Sequence, residues 1–140
     1  MKKKIGGWLA AALLAVGCTA MTASAFTDTT GHWAEESINK WSGEYGIIQG
    51  YDDGTFRPDN SITRGAFAGI LDRFLHFQEV SPADTFSDTP GTYWEDAILK
   101  LHAAGVYLGN EGKALSNSTI TRQQAVAMIG RAFRIAPETV

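Results

Sequence analysis

The chain has 140 residues, with 12 Lys or Arg against 15 Asp or Glu and a formal net charge of −3. Three of the basic residues, Lys2, Lys3 and Lys4, lie in the first 25 positions and no acid does, so the remainder is distinctly acidic. That excludes a general nucleic-acid binder, which presents a basic face. The single cysteine, Cys18, excludes a disulfide framework and a cysteine zinc site.

Residues 1–25 read as a secretory signal peptide: a basic patch, an apolar run from Ile5 to Val16 broken by two glycines, and small residues at Ala23 and Ala25. Cleavage after Ala25 leaves no thiol and an exported product. Two alternatives use the same segment. Lipid attachment at Cys18 is one, with Ala15 standing where a larger aliphatic residue is usual. An uncleaved anchor is the other, and the small, polar GCTAMTASA half argues against it. What remains, about 115 residues, is one domain-sized unit.

That unit repeats itself. FTDTTGHWAEESI at 26–38 returns as FSDTPGTYWEDAI at 86–98, which carries Phe26, Asp28, Gly31, Glu35 and Ile38 onto Phe86, Asp88, Gly91, Glu95 and Ile98, an offset of 60. ITRGAFAGILDRFL at 62–75 returns as ITRQQAVAMIGRAF at 120–133, an offset of 58, so the middle of the second copy is shorter.

Each copy reads as helix, loop, helix. Trp33, Ile38, Trp41 and Tyr45 share a face of the first helix, which ends at Gly46; Trp94, Ile98 and Leu101 do so in copy two, ending at Gly105. Asp28 and Asp88 are expected to cap the approach to these helices. In the second helices Phe67, Ile70, Leu71, Phe74 and Leu75 follow amphipathic spacing, matched by Ala125, Met128, Ile129, Ala132 and Phe133. Thr63 and Thr121 suit the N-cap, where a threonine oxygen accepts from a free first-turn amide. Gln124 can complete a capping box; Ala66 cannot. Arg73 and Arg131 suit the C-terminal dipole.

Between the helices of copy one lies YDDGTFRPDNSITR, residues 51–64. Asp52, Asp53 and Gly54 have the chemistry of a tight turn, Phe56 can tuck beneath the loop and Pro58 stiffens the approach to the next helix. Copy two has GNEGKALSNS at 109–118 instead and lacks the Tyr51 aromatic and the Arg-Pro-Asp step. The boundaries are then repeat 1 at 26–77, a linker at 78–85, repeat 2 at 86–135 and a tail at 136–140.

Phe26 and Asp28, His32-Trp33-Ala34, the run from Gly46 through Gly50 and Tyr51, the run from Asp53 and Gly54 to Asp59, and Ile62-Thr63-Arg64 together resemble the S-layer homology (SLH) domain family. The resemblance implies a mainly α fold of two helix-loop-helix repeats packed together, incomplete relative to the family's usual three-repeat, pseudo-threefold arrangement. It also implies a cell-wall or cell-surface location and non-covalent binding of a secondary cell-wall polymer, often one bearing pyruvate ketals, or of peptidoglycan-linked glycan. The Arg of the family's Thr-Arg-Ala-Glu motif, associated with polymer recognition, falls on Arg64 and Arg122; the motif's Glu is Ala66 in one copy and Gln124 in the other.

A guanidinium grips a carboxylate through two parallel hydrogen bonds, and a helix start adds free amides. The polymer-binding candidates are therefore Arg64 and Arg122, with Trp33 and Tyr51 as sugar platforms. The competing role for each arginine is an internal salt bridge, to Asp59 or Glu95 for instance. Asp28, Asp88, Gly50, Gly54, Thr63 and Thr121 are expected to be structural, and Trp41 a core residue.

Other chemistries fit less well. Thr55, Phe56 and Arg57 interrupt the acids of a calcium loop. Glu35, Glu36, Glu95 and Asp96 sit in first helical turns rather than flanking a cleft as glycosidase carboxylates do. His32, His76 and His102 lack ligand spacing. No enzyme activity, metal or cofactor is expected. The function read is an exported cell-envelope module that binds an anionic polymer. The alternative is an assembly protein of the surface layer, acting by self-association or by pairing with other SLH chains.

Overall fold

A computed structural model describes residues 26–134; the signal peptide, Cys18 and the tail expected at 136–140 lie outside them. The described chain is mainly helical. Helix α1 (Glu35–Asn39) runs on into a π-helical turn at Lys40–Glu44; α2 (Arg64–Leu75), a 3-10 turn at Ala83–Thr85, α3 (Glu95–Ala103) and α4 (Arg122–Ala132) follow. Among the described residues there is no β-strand, only isolated bridges pairing Thr63 with Thr119 and Asn110 with Lys113.

The fall in offset from 60 to 58 has two separate physical sites. Trp41 accepts from Ile47 N and Ile48 N, as Leu101 accepts from Val106 N and Tyr107 N. One extra residue therefore lies between Trp41 and Ile47, where the π-helical turn absorbs it: Tyr45 N donates to Lys40 O across five residues. A single-residue insertion is the usual origin of such a turn. The second step is in the acidic turn. Thr27 N donates to Gly54 O and Ser87 N to Gly112 O, so Asp52 and Asp53 together stand opposite Glu111.

The first helices are started by neither Asp28 nor Asp88. Glu35 Oε2 accepts from Gly31 N at 2.7 Å and Glu95 Oε2 from Gly91 N at 2.6 Å. Each glutamate thus closes the turn before its own helix. The second helices carry the expected caps: Thr63 Oγ1 accepts from Ala66 N, and Thr121 with Gln124 forms a complete capping box.

The core belongs mostly to copy two. Phe86, Ile98, Leu99, Leu101, Val106, Tyr107, Ala114 and Met128 cluster with only Ala68 and Leu71 from copy one. Trp41 is not a core residue: it stays 40% exposed, against Tyr45 at 5.0 Å and edge-on to Phe74 at 6.2 Å. The buried face of α2 is also displaced from the large-apolar stripe. It consists of Arg64, Gly65, Ala68, Gly69 and Leu71, while Phe74 is exposed. The cause is Trp94, whose indole lies flush on α2: a Cβ on Gly65 would meet Trp94 Cδ1, and one on Gly69 would come 2.6 Å from Cζ3. A backbone approached this closely needs glycine, which hydrophobic periodicity does not register.

Polar contacts lock the same interface. Lys100 Nζ reaches Asp96 at 2.6 Å and Asp72 of α2 at 3.6 Å. The linker is pinned as well, Ser81 N donating to Leu99 O and Ser81 Oγ lying 2.8 Å from His102 Nδ1.

Gly65→Ala forces Trp94 from its seat and should lower stability by about 1–3 kcal/mol. Gly130→Ala, where a Cβ meets nothing within 4 Å, should instead raise it by about 0.5–1 kcal/mol through helix propensity. Urea unfolding of both variants checks the pair of signs.

Candidate functional site

The start of α2 is docked on the loop of the other repeat. Arg64 N donates to Ser118 O at 2.9 Å and Gly65 N to Ser116 O at 2.8 Å, so two amides at the helix start find carbonyls across the junction. Ile120 N returns a bond to Ile62 O at 3.1 Å.

Arg64 lies within this contact and is only 9% exposed. Its Nε donates to Ala114 O at 3.1 Å, and its guanidinium carbon sits 4.9 Å from the Tyr107 ring centroid. Tyr107 Oη donates to the same carbonyl at 2.7 Å. Burial raises the Tyr107 pKa, although the neighbouring Arg64 opposes the shift. Arg64 forms no ion pair with Asp59 or Glu95: Asp59 faces His32 at 3.4 Å and Glu95 holds Gly91. Neither Nη of Arg64 makes a hydrogen bond within ordinary geometry among the described residues. One nitrogen is anchored, and the guanidinium makes no ion pair among the described residues.

The loop that receives Arg64 is shaped by Asp88. Its carboxylate accepts from Ala114 N at 2.7 Å and Leu115 N at 2.9 Å. Asp28 holds Phe56 N and Arg57 N in the same way, at 2.8 and 2.7 Å. Leu115 and Arg57 both adopt left-handed φ, 56° and 59°. Copy two therefore keeps the loop backbone although its sequence departs from copy one. Phe26 and Phe86 pack where a Cβ would stand on Gly50 and Gly109, fixing the loop entrances. Gly54 turns with φ +79°. At the far end Arg73 Nε donates to Ile47 O at 2.7 Å and Arg131 Nη1 to Val106 O at 3.4 Å. These arginines thus tie helix to loop, a role beyond the dipole assigned to them from sequence.

The other candidates are dispersed. Trp33 is 90% exposed beside His32. Tyr51 is half exposed, with the Arg57 guanidinium 4.0 Å over its ring and Asp53 in turn 2.6 Å from Arg57 Nη2. Arg122 is exposed at the start of α4. Among the described residues no hydrogen bond, ion pair or ring contact joins any two of Arg64, Arg122, Trp33 and Tyr51. The sequence reading did not choose Tyr93 as a sugar platform; it is 79% exposed and edge-on at 4.6 Å to Trp94, whose indole lies over Gly65 next to Arg64. Its signal was present: Tyr93 is the counterpart of Trp33 at the 60-residue offset. The surface depressions of about 360 and 270 Å³ lie elsewhere, around Phe77, Lys100 and Arg131 and around Arg73 and His76.

The Asp53 carboxylate of the acidic turn is engaged by protein donors. Thr55 Oγ1 and N, then Arg57, draw the Asp53 pKa down to about 2. Among the described residues no group of three or more His, Cys, Asp and Glu is placed to hold a metal ion.

Two helix-loop-helix units, each clamped by an aspartate and joined by the docked start of a helix, define a tandem-repeat module. The S-layer homology domain profile matches residues 25–68 and 85–126, and the chain belongs to that family. It is 33% identical over 76% of its length to the cellulosome-anchoring protein of Acetivibrio thermocellus. To the S-layer protein sap of Bacillus anthracis it is 28% identical over 96% of its length. To the amylopullulanase of Thermoanaerobacterium thermosulfurigenes it is 28% identical over 79%. It spans only 25%, 17% and 6% of those proteins, respectively.

The clamps set an acid limit. Phe56 N–H and Arg57 N–H lower the Asp28 pKa; for Asp88 burial pushes upward, but the amides of Ala114 and Leu115 outweigh it. A carboxyl whose folded pKa is depressed contributes stability above its unfolded value, near 3.8, and loses it as pH falls through the folded value. Melting temperature should therefore hold from pH 7 to about 5 and then drop steeply towards about 2. Asp88→Asn should cost about 1–3 kcal/mol at neutral pH and flatten the acid limb.

Proposed function

We propose that this chain is a cell-surface anchoring module that holds an anionic secondary cell-wall polymer at the junction between its repeats. The family, and the names of the anchoring and S-layer relatives, support the anchoring role and the cell-envelope location. The amylopullulanase match concerns a small part of that protein and supplies no catalytic role here.

The observation that carries the polymer reading is the posture of Arg64. Its Nε is held by Ala114 O, its guanidinium lies over the Tyr107 ring and its outer nitrogens make no hydrogen bond among the described residues. A guanidinium held this way is preorganised for a carboxylate, the acid that a pyruvate ketal would present, because little rotamer freedom is lost on binding. Tyr93, and Trp33 in the other copy, are exposed faces on which a sugar ring can stack. Arg122 and Tyr51 are secondary contacts in this reading, since neither lies within the junction. A charge-assisted contact of this kind contributes about 1.5–3 kcal/mol, so a single junction binds weakly and gains from multivalent display.

Arg64→Lys keeps the charge and loses the fork. Co-sedimentation with host sacculi should show it binding about ten-fold more weakly than wild type, the equivalent of about 1.4 kcal/mol. Wild type should fail to pellet with sacculi stripped of secondary polymer. Equal pelleting with stripped walls would move the target to peptidoglycan.

A further inference from the structure

Helix α4 is the counterpart of α2, yet the face that α2 buries against the next repeat is open on α4. Ala68 and Leu71 are 0% and 6% exposed, whereas their equivalents Val126 and Ile129 are 67% and 38% exposed. Arg122 N and Gln123 N, equivalent to the docked amides of Arg64 and Gly65, have no acceptor among the described residues. The complementary half is open on the loop of repeat 1. Pro58 O and Asn60 O occupy the places of the acceptors Ser116 O and Ser118 O, and accept no bond among the described residues.

The two open halves also match in size. Within the chain, a large Trp94 meets two glycines, Gly65 and Gly69. At the open halves the volumes are exchanged: repeat 1 offers Ala34 in place of Trp94, and α4 offers Gln123 and Ala127 in place of the glycines. A second-repeat surface cannot use α4, because Trp94 would run into Gln123, in the position where even a Cβ on Gly65 collides. A first-repeat surface can. Charge agrees, since Asp59, 86% exposed and 3.4 Å from His32, stands in the sequence between the two open carbonyls where the internal junction has Asn117, and an acid there suits Arg122 and the start of α4.

We infer that the open face of α4 docks the first repeat of a second copy of this chain, repeating between chains the junction that joins the repeats within one. Such a contact is heterologous, so copies add head to tail into a closed ring or a growing row. A row sets many Arg64 junctions side by side, the arrangement from which weak polymer contacts gain most.

The test needs no polymer, so its outcome is independent of the binding reading. It uses the chain from residue 26 onward, which contains every described element. Val126→Asp spoils the α4 face at an exposed position. Ala34→Trp spoils the repeat 1 face with the residue that the fold already carries at Trp94, and circular dichroism confirms that both variants fold. In sedimentation velocity over a concentration series, wild type should grow beyond monomer and each variant alone should stay monomeric. An equimolar mixture of the two should form dimers and nothing larger, because one good α4 face and one good repeat 1 face remain. Wild type that stays monomeric to its solubility limit overturns the inference. So does an Ala34→Trp variant that assembles like wild type, or a mixture that remains monomeric.

Discussion

The bond from Asp88 to the backbone of Ala114 and Leu115 is the constraint on which the junction rests. It holds Leu115 in left-handed φ and thereby aims the Ala114 carbonyl inward, where Tyr107 Oη and Arg64 Nε share it. The carbonyls of Ser116 and Ser118, next along the same loop, then meet the amides at the start of α2. An unpaired buried polar group costs about twice what its hydrogen bond contributes, so these contacts support one another. One aspartate thus sets the loop, the loop seats the arginine, and the arginine fixes how the repeats meet.

Much of this was legible in the sequence, and its limits have physical causes. The tandem repeat, the helical class and the threonine caps depend on local chemistry, which single residues report. The actual partners of Asp28 and Asp88 are loop amides 26 to 29 residues away, so a local reading assigned them to the nearest helix start instead. The π-helical turn is invisible to periodicity, because one residue added between Trp41 and Ile47 leaves the apolar pattern of the segment readable as ordinary helix. The α2 interface was missed for the opposite reason: its decisive residues, Gly65 and Gly69, matter for the side chains they lack.

The candidate site divides along the same line. Arg64 was found from its motif, but the sequence offered salt bridges as its alternative role. The structure gives it a carbonyl and an aromatic face instead, with no ion pair among the described residues. Tyr107 and Ala114, which create that setting, carry no motif signal. They become relevant only once the fold brings residues 50 positions apart into contact.

The two repeats share a hydrogen-bond frame and differ in what fills it. Asp28 and Asp88, Arg73 and Arg131, and Gly50 and Gly109 make the same contacts in each copy. At the interface positions the copies diverge in pairs: Trp94 with Gly65 and Gly69, against Ala34 with Gln123 and Ala127. If either pair were copied into the other repeat alone, a collision or a void would follow, and both are destabilising. Interchangeable repeats would leave the order of packing undetermined. The paired divergence makes α2 specific for the second repeat and leaves α4 with a face that the second repeat cannot occupy, so the fold acquires a direction from two side chains of unequal size.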